Sequence, residues 1–276
     1  MQKTTFFRTN FRKDKTNMKI YIAGDSTFQN NDATTFPQTG IGQILPMFFH
    51  CENIVVPEDV LSESVQTETL TFVNCAKNGR STKSFITEKR LEYIEKRIEK
   101  GDFLFVVFGH NDEKLQDESR GTLPYGEYTE NLEKMAKVAT KVGAFPLFLT
   151  PITRRNLDQT HGEYPKAMQD FCKKFNFPCI DLTSITTEIV KNLDDEKSRK
   201  LYMNFDAGLY PNFPEGREDN THLRPEGAFL YASIIVDELK NIIEKNLFPE
   251  LNKLLPFIKK LDNCIRPKQE VGGVEI

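Results

Sequence analysis

Ser26 stands in the run Gly24-Asp25-Ser26-Thr27, directly after a short apolar segment, Lys19–Ala23. A serine hydroxyl exposed on such a strand-to-loop rim can attack a carbonyl; an Asp/Ser helix cap is the ordinary alternative. The pattern is not Gly-x-Ser-x-Gly, so a nucleophile elbow is not supported. Gly79, in Asn78-Gly79-Arg80-Ser81, allows close backbone approach, and its N–H can point at a developing oxyanion. Asn111, in Gly109-His110-Asn111-Asp112, carries an amide that can donate to the same oxyanion. Seen singly, each reads more readily as a cap or turn residue. Late in the chain, Asp219 precedes His222 by three residues, in Asp219-Asn220-Thr221-His222. Such an Asp can accept from one ring nitrogen and leave the other free to take a serine proton. A capping Asp beside a surface His is the alternative. The four histidines are His50, His110, His161 and His222, and His222 alone has a carboxylate at workable spacing in a rim loop.

These motifs need elements to bring them together. Lys19–Ala23, Leu70–Ala76, Phe103–Phe108, Ala144–Leu149 and Phe177–Leu182 read as strands. Helices are expected over about 81–100, 128–142, 165–174, 184–203 and 225–245, with a helical patch at 41–49 and a loop over 204–224. The run Phe103–Phe108 is continuously apolar, as in a central parallel strand covered on both faces. Pro146 removes a ladder donor and must lie near the start of its strand or on an edge. Strands interleaved with helices predict a three-layer α/β fold with a parallel sheet. In such a sheet chemistry sits beyond the carboxyl ends of the strands. Ser26, Gly79 and Asn111 fall at three successive strand ends and His222 in the last loop, so the set outweighs its separate readings.

Composition narrows the class. Lys and Arg number 37 against 40 Asp and Glu, a net charge of −3, which carries no basic footprint for nucleic acid or a membrane surface. No apolar run is long enough to span a bilayer. The charge is uneven: residues 1–17 hold Lys3, Arg8, Arg12, Lys13 and Lys15 against Asp14, a net of +4, leaving −7 on the remainder. Residues 1–17 lack the apolar core of a signal peptide and read as a structureless leader, with Met18 a candidate natural start. Cys51, Cys75, Cys172, Cys179 and Cys264 show no metal-ligand spacing. Free thiols in a reducing compartment fit them better than a disulfide framework, which favours the cytoplasm. With no repeats and no linker, residues 18–250 read as one domain and 251–276 as a helix and tail packed on it, Leu251–Leu261 favouring core over a dimer contact. The expected assembly is a monomer or weak homodimer.

In its four blocks the sequence resembles the SGNH (GDSL-type) hydrolases, with Ser26, Gly79, Asn111 and His222 at the block positions and Asp219 completing the Asp-x-x-His element. The resemblance spans about residues 18–246. Thr150-Pro151-Ile152-Thr153-Arg154-Arg155, Phe108-Gly109-His110-Asn111-Asp112, Gly227-Ala228 and His161-Gly162-Glu163-Tyr164-Pro165 are similar to the rhamnogalacturonan acetylesterase branch, family twelve of the carbohydrate esterases. Two departures stand out: Ile41 lies between Gly40 and Gly42 where that branch often has Trp, and about 52–67 looks like an insertion. The resemblance implies an α/β/α sandwich on a flavodoxin-like five-stranded parallel sheet. It also implies a Ser26–His222–Asp219 acyl transfer, an oxyanion hole of Ser26, Gly79 and Asn111, and no metal or cofactor. The implied substrate is an acetylated pectic oligosaccharide. Arg154 and Arg155, with His161 and Arg80 as weaker candidates, can pair with its carboxylates; an internal ion pair is the alternative for the arginines. His110 and Tyr164 read as scaffold. The rival functions are an SGNH lipase or thioesterase for longer acyl chains and an inactive carbohydrate-binding protein on the same fold.

Overall fold

The computed structural model describes residues 18–50, 53–55, 63–66, 70–157, 161–259, 270–271 and 274–275. The leader 1–17, Cys51, Cys264 and most of the C-terminal tail lie outside the described residues.

Five strands form the parallel part of the sheet: β1 (Met18–Gly24), β4 (Leu70–Asn74), β5 (Phe103–Val107), β6 (Phe145–Leu149) and β7 (Cys179–Ile180). Their order is β4-β1-β5-β6-β7, the flavodoxin-like winding. Two antiparallel strands, β2 (Asn53–Val55) and β3 (Glu63–Gln66), extend it beyond β4. They fall in the segment expected as an insertion, whose remaining residues lie outside the described ones. The apolar runs follow from burial on both faces. In β5, Phe103, Phe105 and Val107 join one core, while Leu104 and Val106 join the other. β1 divides in the same way, Ile20 and Ile22 against Tyr21 and Ala23. Side chains of a strand alternate between faces, so a strand covered twice must be apolar at every position.

The first core is covered by α1 (Ile41–Ile44), α6 (Leu182–Asn192), α8 (Pro225–Glu244) and a 3-10 turn, Pro249–Phe257, which seats Leu251 and Leu254. The second lies under α2 (Thr82–Thr87), α3 (Arg90–Glu95), α4 (Thr129–Thr140) and α5 (Tyr164–Phe175). Pro146 is the second residue of β6, and its missing donor faces β7. That strand is too short to need it: β7 meets β6 only at Phe148 and Leu149, and its first bond is Phe148 N–H to Pro178 O, 3.0 Å.

Three expected helices break. The helix expected over 81–100 is interrupted at Lys89, which takes a left-handed φ of 63° and turns Arg90 inward to donate to Cys75 O, 3.2 Å. The segment 41–49 is α1 followed by a 3-10 turn containing Pro46, which has no N–H to continue an α-helix. The helix expected over 184–203 is α6 and α7 (Asp195–Leu201), because Leu193 is extended and Asp194 recaps the chain by accepting from Lys197 N–H, 2.7 Å.

The expected loop over 204–224 is also corrected. It holds a hairpin of β8 (Tyr202–Phe205) and β9 (Arg217–Leu223). β9 reads Arg-Glu-Asp-Asn-Thr-His-Leu, with no apolar alternation to betray a strand, because only Leu223 is fully buried.

Phe105 lies at the centre of the sheet with no solvent exposure. Phe105→Ala is expected to lower unfolding free energy by about 3–5 kcal/mol. Urea titration with an unchanged m-value checks it.

Candidate active site

The chain reverses direction across the sheet between β1 and β5, so a crevice opens beyond their carboxyl ends. Ser26 follows β1, Gly79 follows β4 and Asn111 follows β5. Asp25 shapes the first turn, its Oδ1 accepting from Thr27 N–H at 2.9 Å and from the Thr27 hydroxyl at 2.8 Å. Ser26 itself makes no hydrogen bond among the described residues, so its hydroxyl and N–H stay available to the crevice. The loop after it is fixed from behind. Asn74 Nδ2 donates to Phe28 O at 2.7 Å, and Asn78 N–H donates to Gln29 Oε1 at 2.6 Å. Gly40 passes so close that a Cβ there would lie 1.9 Å from Gln29 O. Gly79 has φ +74°, a left-handed backbone that favours glycine, and its N–H has no partner among the described residues. Asn111 is buried, donating from Nδ2 to Arg80 O at 3.1 Å and accepting at Oδ1 from Lys114 Nζ at 2.9 Å.

His222 and Asp219 come from β9, not from a loop. Asp219 Oδ2 accepts from His222 Nδ1 at 2.8 Å, and Oδ1 accepts from the backbone N–H groups of Thr221 and His222, each at 3.0 Å. Arg217 Nη2 adds a contact to Oδ2 at 3.0 Å. Burial works to raise the Asp219 pKa, but the bonds from His222 and the backbone outweigh it and hold the carboxyl well below its usual range. An ionised Asp219 places the imidazole proton on Nδ1 and leaves Nε2 as a base. Ser26, Gly79, Asn111, Asp219 and His222 all line one open cleft of about 880 Å³.

Behind these residues lies a buried polar layer. Asp112 accepts from Thr82 N–H at 3.1 Å and from the Thr122 hydroxyl at 2.9 Å, and burial pushes its pKa up to about 7. Glu113 pairs with Arg154 and with His161 Nδ1, the latter at 3.0 Å. Burial opposes its ionisation, but these two partners prevail and lower its pKa. His161 Nε2 faces Ile152 O at 2.8 Å, so an oxygen stands against each ring nitrogen. His110 packs edge-on against His161, centroids 4.2 Å apart, and burial drives its pKa well below the ordinary value. Tyr164 donates its hydroxyl to the loop carbonyls of Asp112 and Thr122.

Arg154 and His161 therefore reach the cleft wall, each engaged with Glu113. Arg155 does not. It pairs with Asp195, donates to Ser198 Oγ at 3.1 Å, and lines a neighbouring hollow. Arg80 bonds Glu88 and Asn78 O. Sequence reasoning missed Glu113, Lys114 and Arg217, all of which line the cleft. Their signal was adjacency: Glu113 and Lys114 continue the run that ends in Asn111-Asp112, and Arg217 lies two residues before Asp219.

Residues 20–235 match the family model described as GDSL-like Lipase/Acylhydrolase. The chain is 35% identical over 231 residues to Rhamnogalacturonan acetylesterase RhgT of Bacillus subtilis (strain 168), covering 82% of this chain and 90% of that one. It is 31% identical to Probable rhamnogalacturonan acetylesterase YesY of the same organism, covering 81% and 93%. Among solved structures, Bacillus subtilis YxiM superposes with a TM-score of 0.64 at 24% identity, over 82% of this chain and 57% of that one, a likeness of fold.

A buried acid with a raised pKa favours the folded state when protonated, so Asp112 contributes stability at acid pH that fades as pH rises from about 4 to about 7. The stability of the wild type relative to Asp112→Asn is expected to shrink over that interval and then level off. Chemical unfolding across pH 4–8 measures it.

Proposed function

The chain belongs to the GDSL-like lipase/acylhydrolase family and is a carboxylic ester hydrolase, and from that premise we propose that it removes O-acetyl groups from plant cell-wall oligosaccharides, pectic ones of rhamnogalacturonan type, by a Ser26–His222–Asp219 mechanism. One observation carries the mechanism: an unbonded Ser26 shares a cleft with a His222 whose Nδ1 is tied to Asp219. His222 Nε2 takes the Ser26 proton as Oγ attacks the acetyl carbonyl. The N–H groups of Ser26 and Gly79 and the Asn111 amide receive the oxyanion. The tetrahedral species then expels the sugar oxygen, which leaves with the proton from His222. Water, deprotonated by the same nitrogen, attacks the acetyl-serine and releases acetate with Ser26 reprotonated.

The acetyl and sugar parts of this reading draw support from the names of the relatives. The cleft adds to it: among the described residues, no aliphatic side chain lines it, which suits a polyol and an acetyl group better than a long acyl chain. The pectic part leans on local cations. A net −7 outside the leader repels a polyuronate at long range, so Arg154 and Arg217 on the cleft wall must supply the attraction close in, where screening is weak. The cytoplasmic setting belongs to the same proposal, in keeping with the free thiols of Cys75, Cys172 and Cys179.

Ser26→Ala is expected to cut acetate release from acetylated rhamnogalacturonan oligosaccharides by about a million-fold. Equal rates for wild type and variant would leave a binding protein instead. Faster hydrolysis of octanoyl than acetyl p-nitrophenyl ester by the wild type would overturn the acetyl reading. Preference for acetylated xylan or mannan fragments would overturn the pectic one.

A further inference from the structure

Building on the oxyanion role proposed for Asn111, we propose that Lys114 is a positioning residue that fixes and polarises the Asn111 carboxamide. A carboxamide presents an oxygen and a nitrogen of nearly equal shape, so its partners alone decide which way it faces. Lys114 Nζ lies 2.9 Å from Asn111 Oδ1, and an ammonium can only donate. Arg80 O lies 3.1 Å from Asn111 Nδ2, and a carbonyl can only accept. Turning the amide over would set its NH2 against the ammonium and its oxygen against a carbonyl, two repulsive contacts in place of two bonds. The orientation is therefore unique. One Nδ2 hydrogen is spent on Arg80 O, and the other remains for the cleft that Asn111 lines.

The same contact strengthens the donor. A cation on the amide oxygen draws electron density from the nitrogen, so the remaining N–H carries more positive charge before any oxyanion forms. The geometry is built locally. Lys114 N–H donates to Asn111 O at 3.2 Å and Asp117 N–H to Lys114 O at 2.9 Å, so the turn after β5 sets the spacing of three residues that brings the ammonium back over the amide. On the far side, the Arg80 carbonyl is steadied by its own guanidinium, which donates to Asn78 O at 2.6 Å and to Glu88 Oε2 at 2.8 Å. Lys114 also borders the cleft, so direct contact with substrate is the competing role.

Steady-state hydrolysis of p-nitrophenyl acetate by the full chain separates the two. Lys114→Met is expected to lower kcat about ten-fold with KM unchanged, and Lys114→Gln, a donor without charge, to fall between it and wild type. In an Asn111→Ala background neither substitution at position 114 costs anything further, because the group it serves is gone. A raised KM at constant kcat, an undiminished loss in the Asn111→Ala background, or no effect at all overturns the proposal. If Asn111→Ala itself keeps full kcat, the oxyanion reading fails and this proposal with it. If Asn111→Ala is slow and Lys114→Met is not, only the present inference fails. Thermal unfolding checks each variant, and Lys114→Gln carries the comparison should Lys114→Met not fold.

Discussion

Five strands running in one direction must end on one edge, and the site depends on that constraint. β4, β1 and β5 are adjacent and in register, Ile20 pairing with both Phe72 and Phe103. The residues that follow each strand therefore emerge side by side, although more than fifty positions separate Ser26 from Gly79 in the chain. The apolar filling of both sheet faces makes this edge rigid. Polar groups placed on the rim inherit that rigidity at no cost to their own polarity.

The second half of the site reaches the rim by another route. β9 is not part of the main sheet; it is held by β8, by Thr39 N–H donating to Leu223 O at 2.9 Å, and by Arg155 N–H donating to Asn220 O at 2.9 Å. Arg155 thus serves the site through its backbone while its side chain faces elsewhere. The Asp219–His222 pair rides on this tethered hairpin, which α8 follows at once, with Pro225 at its first turn.

Burial pulls the acids of the region in opposite directions, and partners decide each case. Asp112 has only neutral donors and is pushed up to about 7, while Glu113 and Asp219 meet cations or an imidazole and are held low. Charge around the cleft is therefore distributed by pairing rather than by the composition of the chain, whose net −3 says little about it.

Much of this was legible in the residues. Apolar runs of the right length marked the parallel strands, and Ser26, Gly79 and Asn111 stood at the ends of three of them in order, because strand burial and turn chemistry are local properties. The hairpin was not legible, since β9 is polar at six of its seven positions and exists only by pairing with β8. Nor could Arg154 be told from Arg155. Which of the two neighbours meets the cleft is settled by Glu113, 41 residues before Arg154, and Asp195, 40 residues after Arg155. The amino-acid sequence by itself determined the layered α/β class and the types of the candidate site groups. Only the tertiary structure decided which polar side chains surround them, because that depends on partners distant in the chain and close in space.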